Sequence, residues 1–236
     1  MDVSIASWEI NKNGYTIIDS VYTPNEIDRI IDLIENVNPD KPTFRQTADL
    51  FAIRQFLQEV PDVYPFIFNE KLNSIITSVY GSGYFPVKSI YFDKPVSSNW
   101  FVAYHQDLTI SVKNKVDLPG YGPWTVKHNQ FAVQPPLNVL QSNFTIRIHL
   151  DDACKDNGAL KVIPGSHLKG IYRPESIDWA IEKEDICEVE AGGIMLMSPL
   201  LLHASNRTVN NKKRRVIHIE FSNVALTYGL DWSEKN

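Results

Sequence analysis

The sequence predicts a mainly β protein with N-terminal helices, whose strands form a jelly-roll barrel or a sandwich. From about residue 87, short runs rich in Val, Ile, Phe, Tyr and Thr alternate with Pro, Gly, Asn and Asp clusters, as in antiparallel sheets. Before that point, apolar residues recur at helical spacing. The 236 residues, 43% of them apolar, can bury one core. We therefore expect a single domain over 1–236, with a mainly helical support region (1–86) and a jelly-roll core (87–223).

The first third contains three helical patterns. In the segment TPNEIDRIIDLIENV, Thr23 can cap a helix, Pro24 suits the first helical position, and Glu26 completes a capping box. The apolar face of this helix consists of Ile27, Ile30, Ile31 and Ile34. Residues 49–60 and 69–79 carry weaker helical patterns.

Seven segments after residue 87 predict strands, namely VKSIYFDK, NWFVAYHQDLTISV, NFTIRIHL, GALKVI, DICEVEA, GGIMLMSP and RRVIHIEFS. Residues 113–143 form a long Pro- and Gly-rich insert, and loops of this length are often functional. The aromatic residues in or near the insert are Trp100, Tyr121, Trp124 and Phe131. They would either form a lid over a substrate or pack the insert against the barrel.

Composition excludes several kinds of partner. There are 23 Lys and Arg against 28 Asp and Glu, so the formal net charge of -5 gives no reason to expect a nucleic acid, and we expect a small-molecule substrate. The two cysteines lack the spacing of a metal site and the density of a disulfide scaffold, which favours a reducing compartment. No leader pattern or membrane-spanning apolar run is found, so we expect a cytoplasmic protein without a membrane partner. The oligomeric state is open.

His105 and Asp107 are the first candidates for chemistry. They lie two residues apart in a segment that alternates like a strand, so both side chains point to one face. Two histidines and one carboxylate on a metal leave positions open for a co-substrate and O2, as in non-haem Fe(II) oxygenases. The pair also arises by chance on exposed strands, so this interpretation needs a second histidine. His203 follows a predicted apolar strand, and Arg214 comes eleven residues later at the start of another.

Four motifs together resemble the phytanoyl-CoA dioxygenase family of Fe(II)- and 2-oxoglutarate-dependent oxygenases. They are YHQD at 104–107, DNGALKVIPGSH at 156–167, PLLLHAS at 199–205 and RRVIHIEF at 214–221. They occur in the family's order and cover most of residues 87–223. The resemblance implies a double-stranded β-helix (jelly-roll, cupin-like) barrel. It also implies a dioxygenase that uses Fe(II), 2-oxoglutarate and O2 to hydroxylate a C–H bond of a small organic molecule, with release of succinate and CO2.

The resemblance assigns roles to single residues. The implied iron ligands are His105, Asp107 and His203. Arg214 would bind the distal carboxylate of 2-oxoglutarate, because arginine presents a fork of donors that suits a carboxylate. Ser205 would donate its hydroxyl to the same carboxylate, and Arg147 would help to hold the co-substrate. The family also places a basic residue near the co-substrate from the region of Lys88 and Lys94.

Alternation leaves open which arginine of the pair Arg214 and Arg215 faces the cavity. Arg215 shares a face with Ile217, Ile219 and Phe221, while Arg214 shares one with Val216, His218 and Glu220. We favour Arg214, because its spacing from His203 matches the family and because the cavity face should be the more polar one.

The remaining histidines favour structural roles. His167 closes a turn motif, and His218 is expected either to be structural or to support the residues that bind the metal and co-substrate. His149 would line the cavity or lie in the core, and His128 lies in the insert. Two other functions stay open. One is a metal-dependent, cupin-type enzyme that does not use 2-oxoglutarate, and the other is a non-catalytic barrel that binds a small molecule.

Overall fold

The computed structural model describes residues 3–38, 40–47, 51–95, 100–127, 130–210, 212–226 and 228–235. Its α-helices are α1 (Val3–Asn13), α2 (Pro24–Glu35), α3 (Phe56–Glu59), α4 (Tyr64–Ile67), α5 (Glu70–Tyr80) and α6 (Leu137–Gln141). The strands of the first half are β1 (Tyr15–Ile18), β2 (Phe44–Gln46), β3 (Phe51–Arg54), β4 (Phe85–Lys94), β5 (Val102–His105), β6 (Ile110–Val112), β7 (Trp124–Lys127) and β8 (Gln130–Val133). Those of the second half are β9 (Asn143–His149), β10 (Leu160–Val162), β11 (Asp185–Cys187), β12 (Ile194–Met197), β13 (His203–Ser205) and β14 (Arg214–Ser222).

The strands form three antiparallel sheets. The largest has seven strands in the order β1-β12-β9-β14-β4-β3-β2, and a second has four in the order β11-β10-β13-β5. The third contains β6, β8 and β7. Residues of both larger sheets line one cavity. The arrangement is a mainly β, double-stranded β-helix (jelly-roll) fold, which confirms the predicted fold class.

The two faces of the seven-stranded sheet differ in polarity. One face packs its isoleucines, Ile146 and Ile217 among them, against Ile30 of α2 and Leu72 of α5 in the main hydrophobic cluster. Because successive side chains on a strand point to opposite faces, the residues between these isoleucines point to the other face. There β9, β14 and β4 present five polar side chains to the cavity, namely Arg147, Arg214, His218, Lys88 and Lys94.

Two of the three helix predictions agree with the structure, and the third is largely wrong. Helix α2 has the predicted capping box, with Thr23 accepting from the Glu26 amide, and three of its four isoleucines are buried. Helix α5 confirms the pattern at 69–79, with Asn69 as its N-cap. The helix predicted at 49–60 is largely wrong, since Phe51–Arg54 is a strand and only Phe56–Glu59 is helical; residues 48–50 lie outside the described part. Pairing of β3 with β4 outweighs the local propensity here.

The insert at 113–143 contains paired strands and is not only a loop. Residues 124–127 and 130–133 form a hairpin that pairs with β6, and the predicted strand 99–112 is divided into β5 and β6. Tyr121, Trp124 and Phe131 pack in a cluster with Trp232 near the C-terminus. No described residue of 113–143 lines the cavity, so for these three aromatic residues packing is the better interpretation than a lid. In the described part of the chain, no helix combines the length and apolarity needed to span a bilayer.

Candidate metal centre and co-substrate pocket

Three predicted metal ligands meet at one point. His105 and His203 are register partners on the adjacent strands β5 and β13. Their rings lie 4.2 Å apart between centroids, and His203 Nε2 lies 3.8 Å from Asp107 Oδ2. One donor atom of each of the three side chains lies within 4.8 Å of the others. The set is two imidazoles and one carboxylate, which can hold a divalent transition metal on one face and leave its other positions open.

Both histidines are oriented by the backbone. The Nδ1 atom of His105 lies 2.9 Å from the carbonyl oxygen of Ala103, and that of His203 lies 2.9 Å from the carbonyl oxygen of Leu201. Each Nδ1 therefore carries a proton and donates it, which leaves Nε2 with a free lone pair. Metal-binding histidines are usually oriented in this way.

Asp107 lies just beyond the end of β5 rather than on the strand. Its amide donates to the carbonyl oxygen of Pro199. The Gln106 side chain points away, where its amide nitrogen donates to the carbonyl oxygens of Gly170 and Leu200 and its amide oxygen accepts from the Tyr172 amide. The predicted common face of His105 and Asp107 is thus kept by anchoring Gln106 on the opposite side. His203 begins a strand instead of following one, since residues 199–202 form a turn.

The electrostatics of Asp107 and His203 suit metal binding. Burial alone would raise the pKa of Asp107, but attraction from His203, His218 and Lys88 outweighs it, so the pKa is lowered. Burial lowers the pKa of His203 to about 4, against the attraction of Asp107. A metal binds carboxylate and neutral imidazole, and these are the states that Asp107 and His203 favour at neutral pH. Asp107 Oδ2 is buried without a hydrogen-bond partner, as expected of an atom that awaits a cation.

A cavity of about 160 Å³ adjoins the three side chains and contains three buried cations. Lys94, Arg147 and Arg214 are 1%, 7% and 5% exposed. Lys94 lies opposite Arg214 in the register of β4 and β14. Burial, with repulsion from Arg214, lowers the pKa of Lys94 to about 8, and burial with repulsion from Arg147 lowers that of Arg214 to about 9. Such a group of buried cations favours the binding of an anion.

The contacts of these cations leave donors free. Arg214 Nε donates to the carbonyl oxygen of Asn157 at 3.3 Å, and its Nη2 lies 3.5 Å from Ser205 Oγ. Lys94 Nζ donates to the carbonyl oxygen of Asn206 at 2.5 Å. Among the described contacts, none of the three cations reaches a carboxylate within ion-pair distance. The cationic end of the cavity fits the carboxylate of a dicarboxylic acid such as 2-oxoglutarate.

The two neighbouring arginines point to opposite sides of the sheet. Arg214 lines the cavity beside Ser205. Arg215 instead donates two hydrogen bonds to Asp151, at 2.8 and 2.9 Å, and lies 3.4 Å from Glu35. The polar-face argument from the sequence thus identified the arginine that reaches the cavity.

Arg147 continues into a buried chain of polar side chains that the sequence interpretation missed. Its Nη1 lies 3.2 Å from His218 Nδ1, His218 Nε2 lies 3.3 Å from Glu220 Oε1, and Lys88 Nζ lies 2.5 Å from the same oxygen. Asp107, His218 and Glu220 also have donor atoms within 4.8 Å of one another. Because Lys88 and Arg147 occupy both ends of this second group, it is not a metal site.

His149 and His167 lie outside the candidate metal centre. His149 is 2% exposed, and neither ring nitrogen has a hydrogen-bond partner in the structure. Burial, with repulsion from Arg147 and Arg214, holds its pKa well below 6.5, so it is a neutral core residue beside the cations. His167 packs near Gly14, where an added Cβ would lie 2.5 Å from its Nδ1. His128 lies outside the described residues.

The family model for phytanoyl-CoA dioxygenase (PhyH) matches residues 10–216. The chain belongs to this family. It is therefore an Fe(II)- and 2-oxoglutarate-dependent oxygenase. Phytanoyl-CoA dioxygenase 1 of Oryza sativa subsp. japonica is 25% identical over 266 aligned residues, which cover 95% of this chain and 89% of that protein.

Two solved structures show the same fold at low identity. The carbocyclase SnoK from nogalamycin biosynthesis, described as non-heme and alpha-ketoglutarate dependent, has a TM-score of 0.71 at 16% identity, covering 95% of this chain and 85% of its own. HygX from Streptomyces hygroscopicus, with nickel, 2-oxoglutarate and hygromycin B bound, has a TM-score of 0.66 at 13% identity, covering 94% and 88%. At these identities the likeness concerns the fold.

Proposed function

We propose that this oxygenase hydroxylates a C–H bond of a small organic molecule. His105, Asp107 and His203 would bind Fe(II). Arg214 would bind the distal carboxylate of 2-oxoglutarate with help from Ser205, and Arg147 would contact the same co-substrate. Lys94 joins this proposal on geometry, since it lies opposite Arg214 in the sheet.

One observation carries the proposal. Two imidazoles and a carboxylate with free donor atoms lie in the same small cavity as buried cations that form no ion pair with any described residue. A metal alone would not account for the cations, and it would increase the positive charge of the cavity. A dianion that binds the metal at one end and Arg214 at the other balances both. The alternative, a cupin-type enzyme that does not use 2-oxoglutarate, does not explain why the Arg214 and Lys94 charges are buried in this cavity.

When bound, Fe(II) with 2-oxoglutarate and O2 supplies the oxidant that removes a hydrogen atom from an unreactive C–H bond and returns a hydroxyl group. The chain contributes position and surroundings. Arg214 offers a planar pair of donors that fixes the carboxylate in direction as well as distance. Ile90, Phe92 and Trp100 form an apolar wall of the cavity, which excludes water from the reacting groups.

The size of the cavity limits what the substrate can place inside. A volume of about 160 Å³ is below the roughly 300 to 1,000 Å³ of typical small-molecule sites. The co-substrate takes much of this space. We therefore propose that only the reacting end of the substrate enters, while the rest binds at the mouth of the cavity. HygX binds hygromycin B, a small molecule, in the same fold.

The proposal is tested by anaerobic titration of the Fe(II)-loaded protein with 2-oxoglutarate, followed through the weak visible charge-transfer band of the chelate. Wild type should develop the band, His203→Ala should not, and Arg214→Ala should need far more 2-oxoglutarate. Arg215→Ala is the matched control, because it removes the neighbouring guanidinium from the opposite side of the sheet. A wild-type protein that binds iron but gives no band would instead favour another metal chemistry or a binding role.

A further inference from the structure

The buried chain Lys88–Glu220–His218–Arg147 has a defined direction of hydrogen bonding. A guanidinium can only donate, so His218 Nδ1 must accept from Arg147 Nη1 at 3.2 Å. The imidazole therefore carries its proton on Nε2 and donates it to Glu220 Oε1 at 3.3 Å. Lys88 Nζ donates to the same oxygen at 2.5 Å. Each member fixes the next, and the orientation of Arg147 is the end result.

Arg147 needs such support because of its surroundings. Repulsion between Arg147 and Arg214 contributes to the low pKa of Arg214, whereas Asp107 attracts Arg147. A guanidinium free to turn would move toward Asp107, which is a proposed iron ligand. Held by His218, it keeps its buried Nε without an internal partner, ready for a ligand in the cavity.

The Lys88–Glu220 pair is not explained by stability. The Lys88 and Glu220 side chains are 18% and 4% exposed, and removing two such charges from water offsets most of their mutual attraction. A pair of apolar side chains would serve the core at least as well. A pair that sets the tautomer of a neighbouring histidine has a use that apolar residues cannot supply.

We infer that Lys88, Glu220 and His218 are positioning residues, which hold the Arg147 guanidinium toward 2-oxoglutarate and away from Asp107. The inference rests on the proposed function, in which Arg147 contacts the co-substrate. It adds a role for three residues on the inner faces of β4 and β14 that are neither iron ligands nor contacts of the distal carboxylate.

A double-mutant cycle tests whether the pair acts through Arg147. The Lys88→Met/Glu220→Leu double variant replaces both charges together, so that neither is left buried alone. It is combined with Arg147→Met, and the Kd of 2-oxoglutarate for the Mn(II)-loaded protein is measured by isothermal titration calorimetry without O2. We expect the Kd to rise about tenfold in the wild-type background, which is about 1.4 kcal/mol, and not to change further when Arg147 is already Met. The control is Lys41→Met/Glu59→Leu, which removes a 2.7 Å ion pair between two residues that do not line the cavity and should leave the Kd unchanged.

A second comparison uses His218. The amide oxygen of Asn can take the place of Nδ1 as acceptor, so His218→Asn should keep the wild-type Kd within about threefold, while His218→Leu should raise it about tenfold. The Kd of Mn(II) should rise in His218→Leu as well, because the released Arg147 competes for Asp107. This pair decides the question if the Lys88/Glu220 variant does not fold.

The outcomes are separable. Additive effects in the cycle, or equal binding by His218→Asn and His218→Leu, would overturn the positioning role while leaving the proposed function intact. A Mn(II)-loaded wild type that does not bind 2-oxoglutarate would overturn the proposed function, and the inference with it.

Discussion

Replacement of Arg214 by Met should make the ligand-free protein more stable and the co-substrate complex much weaker. The guanidinium is 5% exposed, and burial together with repulsion from Arg147 lowers its pKa to about 9. It is still charged at pH 7, and this fall in pKa corresponds to roughly 5 kcal/mol by which the buried charge destabilises the folded protein. Met fills similar space without a charge. The substitution also removes the two hydrogen bonds of Arg214 to Asn157 and Ser205, and this loss offsets about 3 kcal/mol of the stability gained by removing the charge.

The net expectation is a ligand-free variant about 2 kcal/mol more stable than wild type, with Tm higher by roughly 4 to 8 °C for a chain of this size. Binding of 2-oxoglutarate should weaken by about two orders of magnitude, since two charge-assisted hydrogen bonds are lost. Urea unfolding at pH 7 in the presence of a chelator measures the first effect. Calorimetric titration of the Mn(II)-loaded protein measures the second.

Arg215→Met is the comparison that gives the experiment its meaning. Arg215 donates two hydrogen bonds to Asp151, so its removal should cost about 1 to 3 kcal/mol of stability and leave 2-oxoglutarate binding unchanged. If Arg214→Met instead lowers the stability of the ligand-free protein and binds 2-oxoglutarate normally, Arg214 is a structural residue, and the argument from buried uncompensated charge is wrong.

Three further expectations follow from the same cavity. The ligand-free protein should lose stability as the pH falls from about 6.5 to 4. Burial lowers the pKa of His203 to about 4, so over this range the imidazole takes up a proton only in the unfolded state. In urea titrations across this range, His203→Gln should remove up to about 3 kcal/mol of that loss. Affinity for 2-oxoglutarate should fall as the pH rises through about 8, because Lys94, with its pKa lowered to about 8, loses its charge there. In calorimetric titrations, Lys94→Met should bind 2-oxoglutarate more weakly, and its affinity should change little between pH 7 and about 8.5. Gly158→Ala should weaken 2-oxoglutarate binding about tenfold, because its Cβ would lie 2.6 Å from the carbonyl oxygen of Asn206 and 2.7 Å from Lys94 Nζ, which donates to that oxygen. Gly83→Ala has the same sign of φ but open space, so it should cost only about 1 kcal/mol of stability in unfolding experiments. Equal 2-oxoglutarate affinities for the two alanine variants would contradict the placement of Lys94 at the ligand.

The features of the fold and of the site that depend on local sequence spacing could be predicted from the sequence. The Thr23 capping box and the alternation that separates Arg214 from Arg215 depend on neighbours in the sequence, and both agree with the structure. The contact between His218 and Arg147 depends on the register of β14 against β9, which no local pattern reveals. The same limit explains Phe51–Arg54, whose strand exists through its pairing with β4.

Both edges of the seven-stranded sheet come from the first quarter of the chain. Strand β1 pairs with β12, where Ile18 lies beside Ile194, and β2 and β3 close the opposite edge. For a chain emerging from the ribosome, this means that β1 has no partner until residues 194–197 have been made. Contacts so distant in sequence slow folding, and an unpaired edge invites aggregation in the interval. We propose that the chain is one domain for this reason, and that removal of residues 1–54 would leave the catalytic core insoluble rather than trimmed.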